Sequence, residues 1–331
     1  MNHLATDLEQ ALEAADSLRQ ENPAEAAPSP FKRGDVPREL LESAQPGVLL
    51  RMAVEEWGMM GILWAAIAIA PWWLYPPIAI LLAGRFHALG VVLHDAAHMP
   101  LRRKSMAIRM VETLCGYPLA TTLNAMRYHH LRHHRDTGMA SDPYHKAGTR
   151  NLTWRFLNTL RGLALVPFWT ARAPFGAASS VFPRLRNPYA HVFLQDLTKD
   201  NLRDSPEVAD CARAEWGQLL AQLSVLFILL RYPQAAIWGY LVPVSLAGLL
   251  AARRVIIEHN HHRATDRRIE TILRITRDNH LGLLGGLFLT PRNIGYHIVH
   301  HIHPQVRLGA LPKLRRWYVR TYPANYPHEG C

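Results

Sequence analysis

Residues 57–98 read WGMMGILWAAIAIAPWWLYPPIAILLAGRFHALGVVLHDAAH, and the reading of this stretch decides the fold. From Trp57 to Gly84 there is no formal charge, and the run is interrupted by PWWLYPP at Pro71 to Pro77 before it resumes to Leu93. Proline breaks a helix, while Trp and Tyr favour the boundary between lipid and water, so the pattern predicts a helical hairpin with its turn at the interface. Each arm has roughly 18 residues, or about 27 Å at 1.5 Å per residue, close to the hydrocarbon thickness of a bilayer. Arg85 and His87 fall in the second arm and are expected at its cytosolic end or facing the protein interior, where a charge is tolerable. The arm runs into His94 and His98, whose i, i+4 spacing puts both imidazoles on one helical face.

Working outward, a second apolar pair follows at Trp216 to Leu230 and Tyr232 to Ala252, joined through Arg-Tyr-Pro-Gln and closed by Arg253 and Arg254. Gly162 to Phe182 is apolar but broken by Pro167, Arg172 and Pro174, so it is expected to lie on the membrane rather than cross it. Residues 1–50 hold a short helical pattern near Leu8 to Leu18 and a breaker-rich stretch from Asn22 to Pro37; they are read as a flexible N-terminal tail before a membrane domain at 51–331. No signal-peptide pattern opens the chain, so membrane insertion is expected to be internal. The fold expected is an all-α membrane protein of two transmembrane hairpins, four spans in all, with a helical cap on one side.

Charge supports that topology. The 331 residues carry a formal net charge of +11, with a mean hydropathy of −0.07 that implies few spans separated by polar stretches. All but Arg85 and Arg231 of the 37 lysines and arginines lie before Trp57, between residues 101 and 215, or from Arg253 onward. With two hairpins these regions share one face, and such an excess marks the cytosolic side. The basic balance is thereby explained by membrane topology, and nucleic acid is not expected as a partner. Cys115, Cys211 and Cys331 form no CxxC pair, which argues against a disulfide framework, a thiolate zinc site or an iron–sulfur cluster.

Nineteen histidines are present, and they are clustered. HDAAH supplies His94 and His98; YHHLRHH supplies His130, His133 and His134 as HxxHH, with His129 beside them; YHIVHHIHP supplies His297, His300 and His301 as a second HxxHH, followed by His303. Parity of spans puts all three on one face. Eight histidines exceed what one tetrahedral zinc accepts, so two metals are required, and imidazole alone suits iron, copper or zinc. A polytopic zinc transporter or sensor is a competing reading, but transport ligands belong within the spans, whereas these motifs follow them.

The order of the three motifs, with hairpins before the first and the third, resembles the membrane fatty-acid desaturase and hydroxylase superfamily. The likeness covers about residues 75–312 and extends to GRFHALGVVLHDAAHMP from Gly84, RYHHLRHHRDTGMASDPY at Arg127 to Tyr144, and NIGYHIVHHIHPQV at Asn293 to Val306. It implies a pair of iron ions, dioxygen as co-substrate and an apolar acyl or lipid substrate in an integral membrane enzyme whose boxes and termini are cytosolic. It also implies a further ligand after the fourth span, in RRVIIEHNHHR, where His259 fits and His261, His262 and His280 compete. Asp95 and Asp142 are expected either to orient ligand imidazoles or to serve as solvated or capping carboxylates, and His87, His145, His191 and His328 are read as ordinary core or surface residues. Fatty-acyl desaturation is the leading activity; hydroxylation or ketolation of a carotenoid or other apolar substrate is the alternative, since a second hydrogen abstraction leaves an alkene and hydroxyl rebound an alcohol. No haem-binding HPGG signature occurs, so electrons are expected from an external acidic ferredoxin, rubredoxin or cytochrome b5 type donor suited to the basic face.

Overall fold

The computed structural model describes residues 32–100, 103–145, 151–260 and 262–327. The Leu8 to Leu18 pattern, most of the Asn22 to Pro37 stretch, His261 and His328 lie outside the described residues. The chain divides into two compact units, Met1–Asp35 and Val36–Cys331. In the first, Arg33–Asp35 forms one turn of 3-10 helix. The second is helical, and its described residues form no strand beyond the isolated bridges Ser43 to Val306 and His259 to Thr276.

Helix α1, Pro46–Ile69, opens with proline in its first turn, where the missing N–H is no loss. It starts ahead of the uncharged stretch because Glu56 turns inward and meets Arg85 and Arg292. A 3-10 turn at Trp72–Leu74 leaves Trp72 and Trp73 exposed, as an interfacial turn requires, and α2, Tyr75–Ala97, returns against α1. The C-terminal half of α2 is buried nearly all round and acts as the central post, whereas α1 leaves Val54, Ile62 and Ile69 exposed.

Helix α3, Met106–Val111, runs into a π-helical segment, Glu112–Gly116, tied to α1 where Trp57 Nε1 donates to the Leu114 carbonyl at 2.9 Å. Helix α4, Leu123–Asp136, is capped by Thr122, whose hydroxyl accepts the Ala125 N–H; the Glu112 carboxylate takes the Leu123 N–H at 2.8 Å. Both bonds satisfy N–H groups that a helix start leaves orphaned. Between α5, Leu152–Leu160, and α8, Arg186–Phe193, the Gly162 to Phe182 stretch is cut into α6, Leu165–Thr170, and α7, Arg172–Val181, neither long enough to cross a bilayer.

Helix α9, Pro206–Arg231, and α10, Pro233–Glu258 with a π-helical segment at Ile237–Leu241, form the second long pair. A Cβ at Gly162 would stand 2.5 Å from the Gly248 carbonyl oxygen, so α10 packs backbone to backbone on the turn before α6, as small residues allow in membranes. Four short helices complete the unit: α11, Ile269–Ile275, α12, Gly282–Phe288, α13, His297–Ile302, and α14, Leu311–Thr321.

Among the described residues three helices are long and apolar enough to cross a membrane, Pro46–Ile69, Trp72–Ala97 and Pro233–Glu258, and the protein is an integral membrane protein. The Trp216 to Leu230 run forms the end of α9, which is not among the three. The reason is chemical: Glu215 and Gln218 are buried in α9, where Glu215 pairs with Arg172 of α7 at 2.8 Å and accepts from Tyr189 at 3.0 Å, and Gln218 donates to the Tyr117 carbonyl at 3.1 Å. Arg172 and Glu215 are both 0 % exposed. Arg172→Ala leaves the carboxylate buried without its partner and is expected to destabilise the protein by about 3–5 kcal/mol. Chemical denaturation of the detergent-solubilised variant reads that loss as a lower midpoint, and an unchanged midpoint refutes it.

Candidate metal centre

The end of α2, the C-terminal half of α4, the residue after α10 and α13 meet at one point. His94 and His98 from α2, His130 and His134 from α4 and His300 from α13 bring their ligand atoms within 4.8 Å of one another. His133 from α4, His259 and His301 form a second group by the same measure, and His297 Nε2 lies 3.0 Å from His259 Nε2. All of the box histidines and His259 therefore converge. The two groups adjoin, with the His134 and His301 rings stacked at 4.2 Å between centroids.

A buried neutral imidazole offers one N–H and one lone pair, and both require partners. Neither ring nitrogen of His134 or His300 has a hydrogen-bond partner, and the same is true of Nδ1 of His94 and His130 and of Nε2 of His301. Burial holds His98 down to about 3 and keeps His130, His134, His297, His300 and His301 well below the usual imidazole value, each ring adding to the effect on its neighbours. The rings are neutral donors at physiological pH. Two nitrogens bound to one ion at roughly 2.1 Å and near a right angle stand about 3 Å apart. That is the separation of His98 Nε2 from His130 Nε2, 2.9 Å, and of His297 Nε2 from His259 Nε2, 3.0 Å. The donor set is thus compatible with metal.

The surrounding groups orient these rings. His133 Nδ1 donates to Asp142 at 2.8 Å; burial raises that carboxyl, but His133 and the Gly138 and Tyr144 N–H groups outweigh it and hold Asp142 below the usual carboxylate range. His297 Nδ1 faces the Glu258 carboxylate at 3.4 Å, and Arg254 holds that carboxylate at 3.3 Å. Thr137 Oγ1 lies 3.3 Å from His301 Nδ1. Asp95 accepts from the Leu308 N–H at 3.5 Å, in the turn before α14. Glu258 adjoins His259 and Thr137 begins the Thr-Gly that trails the second box, but no spacing assigns either of them to a particular ring.

The competing histidines sit elsewhere. His280 stacks on Tyr296, the His262 N–H meets Asn260, and His303 Nε2 bonds Tyr318 at 2.8 Å. His129 Nδ1 bonds the Tyr144 hydroxyl at 2.7 Å, His87 Nδ1 donates to the Phe288 carbonyl at 2.7 Å, and His191 Nδ1 to that of Asp196 at 3.0 Å.

A polytopic helical membrane protein built around a buried cage of neutral imidazoles is the class that fold and site define. Residues 70–330 match the family model described as fatty acid desaturase, and the chain belongs to the fatty acid desaturase family. No curated protein shows a significant sequence match to it. Membership makes the protein an oxidoreductase that works in a lipid environment on an apolar substrate.

Asp142→Ala removes the acceptor that fixes His133 and is expected to weaken metal affinity about 10- to 100-fold, measured by competition with a chelator; undiminished affinity contradicts the role. A second expectation concerns acid. Because burial depresses the histidines, the unfolded chain binds more protons than the folded one below pH ~6.5. Metal-free protein therefore has full stability at neutral pH and loses it as pH falls from 6.5 toward, for His98, about 3. Each depressed ring contributes roughly 1.4 kcal/mol per pH unit across its window. Melting midpoints of chelator-treated protein between pH 7 and 5 test this, and a flat profile contradicts it.

Proposed function

We propose that the chain is an O2-dependent di-iron desaturase of fatty-acyl lipid chains. His94, His98, His130, His134 and His300 would hold one iron and His133, His259, His297 and His301 the other. The observation that carries this reading is the division of the buried imidazoles into two adjoining groups, too many donors for one ion, in a member of this family. Iron, when bound and reduced, supplies the activation of dioxygen that removes hydrogen from an unactivated C–H bond. The protein's own residues do the rest. Asp142 accepts the Nδ1 proton of His133 and so turns the Nε2 lone pair of that ring toward the cage. Glu258 faces Nδ1 of His297 at 3.4 Å, a longer contact without a hydrogen bond. The burial of His300 and its neighbours excludes water that would quench an oxidant or protonate the rings.

Four spans and a cytosolic cage complete the proposal. Helices α2 and α10 both deliver their C-terminal ends to the cage, so the chain must recross between them. The apolar run from Trp216 to Leu230 at the end of α9 is the segment proposed to do so, with Leu220, Phe227 and Leu230 turned outward. The basic residues flanking the spans support a cytosolic face for the cage and termini. That face would receive electrons from an external acidic ferredoxin, rubredoxin or cytochrome b5 type donor.

Purified protein is expected to contain two irons per chain. Expression in a host of known lipid composition is expected to yield new alkenes with unchanged oxygen content, and His300→Ala to abolish them. An oxygenated lipid or pigment assigns hydroxylation or ketolation instead, and zinc in place of iron overturns the reading.

A further inference from the structure

Glu56 is completely buried within α1, in a span where an uncompensated carboxylate is strongly disfavoured. Two arginines meet it. Arg85 of α2 approaches Oε2 at 2.9 Å, and Arg292 approaches Oε1 at 2.7 Å while its other amino group holds Glu55 at 2.7 Å. Arg85 also donates to the Leu287 carbonyl at 2.5 Å, and His87 to that of Phe288 at 2.7 Å. These are carbonyls that the end of α12 leaves without helical partners. A Cβ at Gly84 would lie 2.5 Å from the Leu287 oxygen, so the end of α12 is seated directly on α2.

Immediately beyond, Arg292 and Asn293 both adopt left-handed backbone, with φ of 57° and 68°. Residues other than glycine and asparagine avoid that region, so the Arg292 conformation persists only where the surroundings over-determine it. The chain then enters α13 at His297. The route from the first hairpin to the third histidine box is thus a sequence of ionic and carbonyl contacts anchored on the buried Glu56 that ends in a strained turn.

We propose that the Glu56–Arg85–Arg292 network is a positioning device for the third box, setting how His297, His300 and His301 enter the cage and with it the occupancy of the four-histidine site. The inference rests on the two-iron reading and goes beyond it in predicting an asymmetry. Helix α13 gives the four-histidine group two of its donors, His297 and His301, but gives the five-histidine group only His300. A shift of α13 strips half the ligands from one site and one in five from the other.

The test compares iron per chain and melting midpoint in purified parent, Glu56→Gln and Glu215→Gln proteins. Glu215→Gln disrupts a buried ion pair of another part of the fold and reports general destabilisation. Glu56→Gln is expected to fall from about two irons to about one with the parent's elution profile, Glu56→Asp to recover part of the loss, and Glu215→Gln to keep two despite a lower midpoint. Two irons in Glu56→Gln, or parallel metal loss in Glu56→Gln and Glu215→Gln, overturn the proposal. Fewer than two irons in the parent instead refute the two-iron reading, which separates the two failures. Should Glu56→Gln not fold, Arg292→Lys, which keeps the charge and loses the forked geometry, is held to the same outcomes.

Discussion

Imidazoles packed with ring centroids 4 to 6 Å apart repel one another as soon as they are protonated, so a cage of this kind exists only if its rings stay neutral and dry. Much of the architecture serves that end. The half of α2 that carries His94 and His98 is covered on nearly every side, and α4 is buried along the face that bears His130 and His133. Carboxylates are admitted at the edge of the cage, where Asp142 and Glu258 each face an Nδ1 and leave the other nitrogen of the ring to turn inward. A carboxylate inside the cage would draw protons into it; one at the rim orients a ring without charging the interior.

Keeping charge out of the centre moves it into the helices around it. Glu56 meets Arg85 and Arg292, Glu215 meets Arg172, and Glu258 meets Arg254. Each pair links an otherwise apolar long helix to another element or to its own next turn, and removing either partner would strand a charge in a low-dielectric surrounding. The modest mean hydropathy of −0.07 belongs mainly to the polar stretches between the long helices. The lipid-facing surfaces are apolar, and the polarity of the spans is directed inward.

The first hairpin was legible because its breaks are chemical: PWWLYPP stops one helix and starts the next at the interface where Trp72 and Trp73 lie. The histidines were legible as a set because their spacing is local. What spacing could not report was how the set divides. Nor could the run from Trp216 to Leu230 reveal that Glu215, just ahead of it in the same helix, is buried against Arg172 of α7, or that Gln218 within it is buried on the Tyr117 carbonyl. Glu56 and Arg292 are 236 residues apart in sequence, and no periodicity links them. His259 fitted a resemblance, whereas its place beside His297 is a matter of tertiary contact between the end of α10 and α13.

The division itself follows from helix geometry. At 3.6 residues per turn, positions i and i+4 differ by about 40° around the axis, while i+3 lies about 60° to the other side of i. An HxxHH motif therefore presents one close pair and one divergent ring. In α4 the pair His130 and His134 joins the first group and His133 turns to the second; in α13 the pair His297 and His301 joins the second group and His300 turns to the first. The two helices exchange single rings. Each group then needs completing from outside, the first by the pair on α2 and the second by His259 alone, which is why one holds five rings and the other four. Such reciprocity means that neither group can be assembled by one helix, and the angle between α4 and α13 governs both at once.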